Sequence, residues 1–201
     1  CATHRSFDML QHVEKEAEFH QTIGCALTAI GGLGFGGMPK SDWKDKAAAY
    51  AELAKRYQPH GLRLGYHNHS HELSPFGLEE NPAAISPRDT PYDLMEQTFN
   101  NAIWWEVDTY WIAHGGGDPA AFIKRFAGNS PAVHVKDITV TPGREHKMCE
   151  VGKGNLNWPA ILEACRDAGV EWYIIERDQG DLDPFESLRL SREQLLEWGI
   201  Q

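Results

Sequence analysis

Short apolar runs alternate with longer segments of helical periodicity along most of the chain. The short runs are typical of strands buried on both faces, and the periodic segments predict amphipathic helices. The predicted strands end near His4, Ile30, His69, Tyr110, Ile138 and Asp178. The predicted helices cover about 7–22, 42–58, 90–100, 119–128, 157–169 and 184–198. Strands that alternate with helices in this way favour a parallel sheet with right-handed crossovers.

Capping residues and loop composition refine this pattern. Ser6, Ser41 and Asn157 are predicted N-caps, and prolines follow Thr90, Asp118 and Asp183 at three other helix starts. The segment 74–89 is predicted to be a polar loop, and 139–155 an irregular one. The glycine-rich segment 31–37 matches G-x-G-x-x-G, but three residues separate it from the next helix, which disfavours a dinucleotide site. We interpret it as a flexible loop over a pocket.

The composition excludes several classes of protein. A chain of 201 residues, 41% hydrophobic and 24% charged, suits one folded domain or part of a larger one. Its formal net charge of −10 disfavours nucleic acid as a partner. No apolar run reaches the roughly 20 residues of a membrane span. Four cysteines without a C-x-x-C pair favour a reducing compartment, so we expect a cytoplasmic protein.

Polar side chains collect where the predicted strands end, which in (β/α) barrels is the edge that carries the active site. Unpaired buried charge is costly, so stability alone does not explain these residues. Alternation along a strand would place His67 and His69 on one face. The set is His4, His67, Asn68, His69, His71, Glu72, Glu106, Asp108, His134, Lys136, Asp137, Glu176, Arg177 and Asp178. Imidazoles and carboxylates from several strands predict a divalent metal site.

Five motifs, in this order, resemble the xylose isomerase-like TIM-barrel family, which is the sugar phosphate isomerase/epimerase superfamily. They are Tyr66-His-Asn-His-Ser-His-Glu72, Asp108-Thr-Tyr-Trp111, His134-Val-Lys-Asp137, Val151-Gly-Lys-Gly-Asn155 and Ile175-Glu-Arg-Asp178. The resemblance covers nearly the whole chain. It implies an α/β fold, a (β/α)8 TIM barrel, with one divalent metal ion, which could be Mn, Zn, Co, Fe or Mg.

The resemblance also implies four metal ligands on successive strands. It assigns the last three positions to Asp108, His134 and Glu176. The family's Glu-Asn-His pattern aligns its glutamate with His67, so His67 is the expected fourth ligand and His69 the reserve. In family epimerases that glutamate belongs to the acid/base pair. The mechanism of those enzymes therefore does not transfer to this chain unchanged.

The chain is shorter than the barrel that the resemblance implies. It begins with Cys1, its first residues show no signal-peptide pattern, and it has only six predicted strands. If the metal strands are the family's fifth to eighth, two βα units of roughly 60 residues together are missing. We therefore expect one barrel domain over 1–201 that is incomplete at its N-terminus, in a longer natural chain or covered by a partner chain. A homo-oligomer is compatible with this expectation.

An enzyme is the function that the resemblance implies first. It would be an isomerase, epimerase or related lyase that acts on a sugar, keto-sugar or cyclitol through a metal-stabilised enediolate. Glu176 would exchange the proton next to the carbonyl. The candidates for its partner or for an oxyanion stabiliser are His69, Lys136 and Glu145, and those for the sugar-binding lining are His4 and Trp111.

Two other functions stay open at this point. An apurinic endonuclease-like nuclease shares the implied fold, but it needs a histidine where Trp111 stands and an Asp-x-His that 138–155 lacks. A non-catalytic or degenerate sugar-binding barrel is suggested by His67 in place of the family's glutamate. Metal content and turnover of keto-sugars would distinguish this second alternative from an enzyme.

Overall fold

The computed structural model describes residues 2–201, so Cys1, predicted to begin the first strand, lies outside the described residues. The chain divides into two compact units, one that ends at Glu106 and one that begins at Val107. Within residues 2–201, no helix combines the length and the apolar character that crossing a membrane requires.

Parallel strands form the sheet of the first unit. They are β1 (Ala2–His4), β2 (Leu27–Ile30), β3 (Arg63–His67) and β4 (Trp104–Asp108), the last of which continues into the second unit. Strand β2 pairs in parallel with β1 and β3, and β3 pairs in parallel with β4. The register places Gly65 opposite Trp104 and His67 opposite Glu106. The ends of β3 and β4 therefore present an imidazole beside a carboxylate.

The helices of the first unit differ from the prediction at two starts. They are α1 (Phe7–Leu10), α2 (Val13–Thr22), α3 (Lys40–Tyr57) and α4 (Pro91–Phe99), with 3-10 turns at Gln58–His60, His71–Leu73 and Pro82–Ala84. The predicted helix 7–22 is interrupted where the Leu10 carbonyl accepts a hydrogen bond from the Tyr57 hydroxyl (2.7 Å). Ser6 is the N-cap of α1, as predicted. Ser41 does not cap α3, contrary to the prediction, because the helix already starts at Lys40 and the Ser41 hydroxyl donates to Asp42.

Large aromatic side chains fill the core of the first unit around Gly65. The Tyr50 hydroxyl donates to the Gly65 carbonyl (2.8 Å), and Trp104 Nε1 donates to the Arg63 carbonyl (3.1 Å). The indole of Trp104 covers the strand so closely that a Cβ atom at Gly65 would lie 2.2 Å from Trp104 Cε2. This contact is below any van der Waals separation, so glycine is required there.

The second unit has parallel strands, helices and an antiparallel hairpin. Its elements are α5 (Thr109–His114), α6 (Pro119–Arg125), β5 (Ala132–Val135), β6 (Asp137–Val140), β7 (His146–Cys149), α7 (Trp158–Ala168), β8 (Trp172–Ile175) and α8 (Pro184–Glu197). Strand β5 pairs in parallel with β8, with His134 opposite Ile174. The side chains of Asp118, Asn157 and Asp183 cap helices, as the helix starts predicted.

The prediction of an irregular loop over 139–155 is wrong at 139–140 and 146–149, which belong to strands. Strands β6 and β7 form an antiparallel hairpin there, and the single strand predicted over 132–138 is divided between β5 and β6. The hairpin closes through a turn in which the Arg144 N–H donates to the Thr141 carbonyl (2.9 Å). Pro142 and Gly143 occupy the centre of this turn, and they are the sequence signal for it.

Candidate functional site

A loop rich in histidine follows β3 in the first unit. The strand ends at His67, so strand alternation does not fix the direction of His69, contrary to the prediction. The His69 ring nevertheless lies 5.1 Å from the His67 ring, and the His71 ring stacks 6.0 Å from that of His69. Glu72, which is buried, accepts hydrogen bonds from the Tyr66 hydroxyl (2.8 Å) and the His69 N–H (2.9 Å). This carboxylate therefore anchors the loop to the strand.

Three side chains of the first unit form a cluster that we call the histidine cluster, defined as His4, His67 and Glu106. Each offers one ligand atom, and these atoms lie within 4.8 Å of one another. His4 Nε2 contacts Glu106 Oε2, and His67 Nδ1 lies 3.5 Å from the same oxygen. The side chain of Glu106 is fully buried, whereas that of His4 is 38% exposed. A buried carboxylate thus lies beside two imidazoles.

Three side chains of the second unit form the acidic cluster, defined as Asp108, His134 and Glu176. Their ligand atoms also lie within 4.8 Å of one another. Asp108 ends β4 and caps α5 by accepting the Trp111 N–H (3.0 Å). His134 belongs to β5, and Glu176 directly follows β8, with 2.8 Å between His134 Nδ1 and Glu176 Oε2. The strand ends therefore bring together three of the four predicted ligands within this unit.

Lys136 supplies the positive charge of the second unit's site. Its side chain is buried, and its Nζ atom lies 3.1 Å from Asp108 Oδ2. The same nitrogen lies 2.7 Å from Glu176 Oε2 and 3.0 Å from Asp178 Oδ2. One ammonium group thus neutralises part of the charge of three carboxylates, which burial would otherwise make costly.

The electrostatic surroundings act differently on the pKa values of these groups. Burial raises the pKa of Asp108 to about 6, although Lys136 and the hydrogen bond from the Trp111 N–H act in the opposite direction. Burial would also raise the pKa of Glu176, but His134 and Lys136 outweigh it and hold that pKa well below its usual range. Burial would lower the pKa of Lys136, but Asp108 and Glu176 raise it. At neutral pH, Lys136 is therefore a cation and Glu176 an anion.

The remaining residues predicted for the site have different surroundings. Trp111 lies on α5, and its ring is 5.7 Å from Lys136 Nζ. Glu145 lies in the exposed turn of the β6–β7 hairpin, where its N–H donates to Thr141 Oγ1 (3.2 Å). Trp111 is therefore close to the acidic cluster, whereas Glu145 is held on the hairpin by its backbone.

Asp137 organises the loop that follows the hairpin, a role that sequence reasoning missed. It is fully buried and accepts the backbone N–H groups of Ile138 (2.8 Å), Gly152 (2.9 Å) and Gly154 (3.1 Å). It also accepts the indole N–H of Trp158 (2.7 Å). A Cβ atom at Gly154 would lie 2.3 Å from Asp137 Oδ1. The pairing of a strand-end aspartate with a Gly-x-Gly segment was the available signal.

The chain belongs to the family described as xylose isomerase-like TIM barrel, whose profile it matches over residues 3–199. This confirms the resemblance and the predicted α/β barrel fold class. Helices and parallel strands alternate in both units, as that family requires.

Similar proteins with curated functions are enzymes. The chain is 21% identical over 175 residues to inosose dehydratase of Clostridium beijerinckii. The aligned region covers 79% of this chain and 55% of that protein. The chain thus spans about half the length of this relative.

Solved structures share the fold. A sugar phosphate isomerase/epimerase from Parabacteroides distasonis superposes with a TM-score of 0.77 at 20% identity, covering 96% of this chain and 71% of that one. An IolI protein with a bound zinc atom superposes with a TM-score of 0.69 at 13% identity, covering 98% and 74% of the two chains. At these identities the likeness concerns the fold alone.

Proposed function

We propose that the protein is a metal-dependent enzyme that removes a proton next to the carbonyl of a sugar, keto-sugar or cyclitol. The observation that carries this proposal is the acidic cluster with its buried cation. An anionic Glu176 and a cationic Lys136 stand 2.7 Å apart. A base and a positive charge are the two groups that deprotonation of a carbon next to a carbonyl needs.

Asp108, His134 and Glu176 are the proposed metal ligands of the second unit, and their donor atoms fit a divalent ion in type and in spacing. His67 is the proposed fourth ligand, supported by the family resemblance and by its position at the end of β3. Mixed imidazole and carboxylate donors suit Mn, Zn, Co, Fe or Mg. Such an ion, when bound, would act as a Lewis acid on the substrate carbonyl.

Glu176 is the proposed base, and its partners define how it works. Its low pKa keeps it ionised, but it also makes Glu176 a weak base. The proton on the substrate carbon must therefore be made acidic, and the Lys136 ammonium can contribute by stabilising negative charge on the carbonyl oxygen.

We assign His69 to proton return on the second face of the substrate. His4 and Trp111 are proposed to line the sugar site, where aromatic faces contact the ring. Glu145, on its exposed hairpin, is a less favoured partner.

The step after deprotonation decides the reaction class. Return of the proton to a carbon gives an isomerase or epimerase, which is the first choice. Loss of a hydroxyl group from the neighbouring carbon gives a dehydratase, and the similarity to inosose dehydratase favours this second candidate. Both reactions share the proton transfer assigned to Glu176, so one experiment can test the common step and separate the outcomes.

The test uses metal-reconstituted protein in deuterium oxide, with an inosose and a ketopentose as substrates. NMR should show deuterium at the carbon next to the carbonyl, and ultraviolet absorbance should reveal an unsaturated or dicarbonyl product only if water is lost. Glu176→Gln should lower the exchange rate at least 1,000-fold, whereas Glu163→Gln, on the exposed face of α7, should leave it unchanged. If neither substrate, nor related keto-sugars, ever acquires deuterium, the proposal is wrong.

A further inference from the structure

The first unit contains a cavity between two loops that follow neighbouring strands. The glycine-rich loop after β2 forms one side, and the segment after β3 that leads to α4 forms the other. Its volume is about 440 Å³. Ligand pockets typically measure about 300–1,000 Å³, so the cavity is large enough for a ring-sized group.

The walls of this cavity combine apolar side chains with the exposed charged side chains of Lys40, Glu79 and Glu80. Trp43 and Met38 form buried parts of the wall, and Phe76 adds a third apolar side chain. Phe35 and Leu78 also line the cavity, although 65% and 40% of their surfaces are exposed. Exposed apolar side chains that converge on one cavity are typical of a binding site, since each would gain free energy from being covered.

The cavity adjoins the loop that follows β3 and contains His69 and His71, which we call the histidine loop. His71 lines it, and the His71 ring lies 6.1 Å from Trp43 and 6.0 Å from His69. The His69 ring lies in turn 5.1 Å from that of His67. A continuous series of rings therefore leads from the proposed metal ligand, through the proposed proton carrier, to the cavity wall. A substrate bound at His67 and His69 would direct a substituent toward Trp43.

We propose that this cavity receives an aromatic substituent carried by the substrate ring, so that the substrate is an aryl-substituted keto-sugar or cyclitol. The proposal rests on the proposed function, because it places the reacting ring at the histidine loop. A second sugar ring fits less well, since its hydroxyl groups would lose water against Phe35, Met38 and Leu78. The charged side chains of the lining, Lys40, Glu79 and Glu80, are exposed and already hydrated. An aromatic ring instead buries apolar surface and can stack on the aromatic walls.

The binding test needs no turnover. The probes are phenyl β-D-glucopyranoside and methyl β-D-glucopyranoside, which differ only in the substituent. Calorimetry should give the phenyl glycoside at least tenfold tighter binding. With methionine methyl groups labelled with carbon-13, the phenyl probe should shift the Met38 signal. Signals of the three methionines outside the cavity lining should stay in place; they are Met9, Met95 and Met148.

Surface variants complete the design, because exposed positions can change without loss of the fold. Phe35→Ser and Leu78→Ser should each bring the affinity ratio of the two probes closer to one, while Phe185→Ser, an 82% exposed residue on α8, should not. A ratio near one in the wild type, or an unmoved Met38 signal, overturns the cavity assignment whatever the turnover. A retained ratio in a protein that exchanges no substrate proton supports the cavity and overturns the proposed function alone.

Discussion

The histidine cluster of the first unit and the acidic cluster of the second use similar donor atoms but balance charge differently. In the histidine cluster, one buried carboxylate, Glu106, lies beside two imidazoles. In the acidic cluster, two carboxylates and one imidazole are joined by the ammonium group of Lys136. The difference teaches that a group of possible metal ligands at strand ends can contain its own counter-cation. We expect the stability of such a group to depend on that cation.

The largest effect is expected from Lys136→Met. The substitution keeps most of the side-chain volume but leaves Asp108 buried without its cation, and it also frees the half-exposed Glu176 and Asp178 from their partner. Loss of one partner of a buried ion pair costs about 3–5 kcal/mol, so we expect the free energy of unfolding, measured by urea denaturation of metal-free protein, to fall by about 3 kcal/mol.

Two controls sharpen this result. Lys153→Met changes an exposed lysine and should alter the free energy of unfolding by less than about 0.5 kcal/mol. A divalent ion should restore part of the stability of Lys136→Met, because it would replace the missing positive charge. Equal stability of Lys136→Met and wild type would show that the acidic cluster needs no internal cation.

A smaller effect is expected where a buried carboxylate anchors a loop. Asp137→Ala would leave the N–H groups of Gly152 and Gly154 and the indole N–H of Trp158 without their acceptor. Each unsatisfied buried donor costs about 1–3 kcal/mol, and water can replace some of the lost bonds, so we expect a loss of about 2 kcal/mol in urea denaturation. Asp181→Ala, at an exposed position, is the matched control. A loss below that of the control would contradict the anchoring role.

The corresponding anchor of the first unit should be more tolerant. Glu72→Gln keeps one oxygen for the His69 N–H, and its amide group can donate to the Tyr66 hydroxyl. We therefore expect a loss of about 1 kcal/mol in urea denaturation, with Glu79→Gln as the exposed control. A loss larger than that of Asp137→Ala would reverse the order that the numbers of hydrogen bonds predict.

The smallest effect is expected from His4→Gln, which tests which of the two clusters binds the metal. His4 belongs to the histidine cluster but not to the proposed ligand set, so His4→Gln should change the dissociation constant for zinc by less than threefold. His134→Ala should raise the same constant at least 100-fold, because a ligand is lost. Calorimetric titration of both variants checks this pair. A large loss of affinity in His4→Gln would move the metal from the acidic to the histidine cluster.

The alternation of strands and helices was predictable because it follows from apolar periodicity, which is local. Helix starts at Asp118, Asn157 and Asp183 followed from capping chemistry for the same reason. The prediction that Ser41 caps α3 was wrong because its hydroxyl instead bonds the side chain of Asp42. Capping preference alone cannot rank such competing partners. Local pattern therefore predicts which elements form better than it predicts where they begin.

The site was predictable at its strand ends and less so beyond them. Asp108 and His134 lie near the ends of their strands, at the edge where (β/α) barrels carry their active sites. The structure brings them together within the second unit. The β6–β7 hairpin was missed because each strand has only four residues and because β7, His-Lys-Met-Cys, does not alternate polar and apolar residues. The role of Asp137 was missed because three of its four donors come from residues 15 to 21 positions later in the chain, a separation that no local pattern encodes.

The contact between Gly65 and Trp104 has an evolutionary consequence. A hydrogen atom is the largest group that position 65 can carry while an indole covers the strand, since a methyl group there would meet the ring at 2.2 Å. Mutational paths that add a side chain at 65 must first pass through a smaller residue at 104. The two positions should therefore vary together across descendants of this chain, and a lineage that keeps the tryptophan should also keep the glycine.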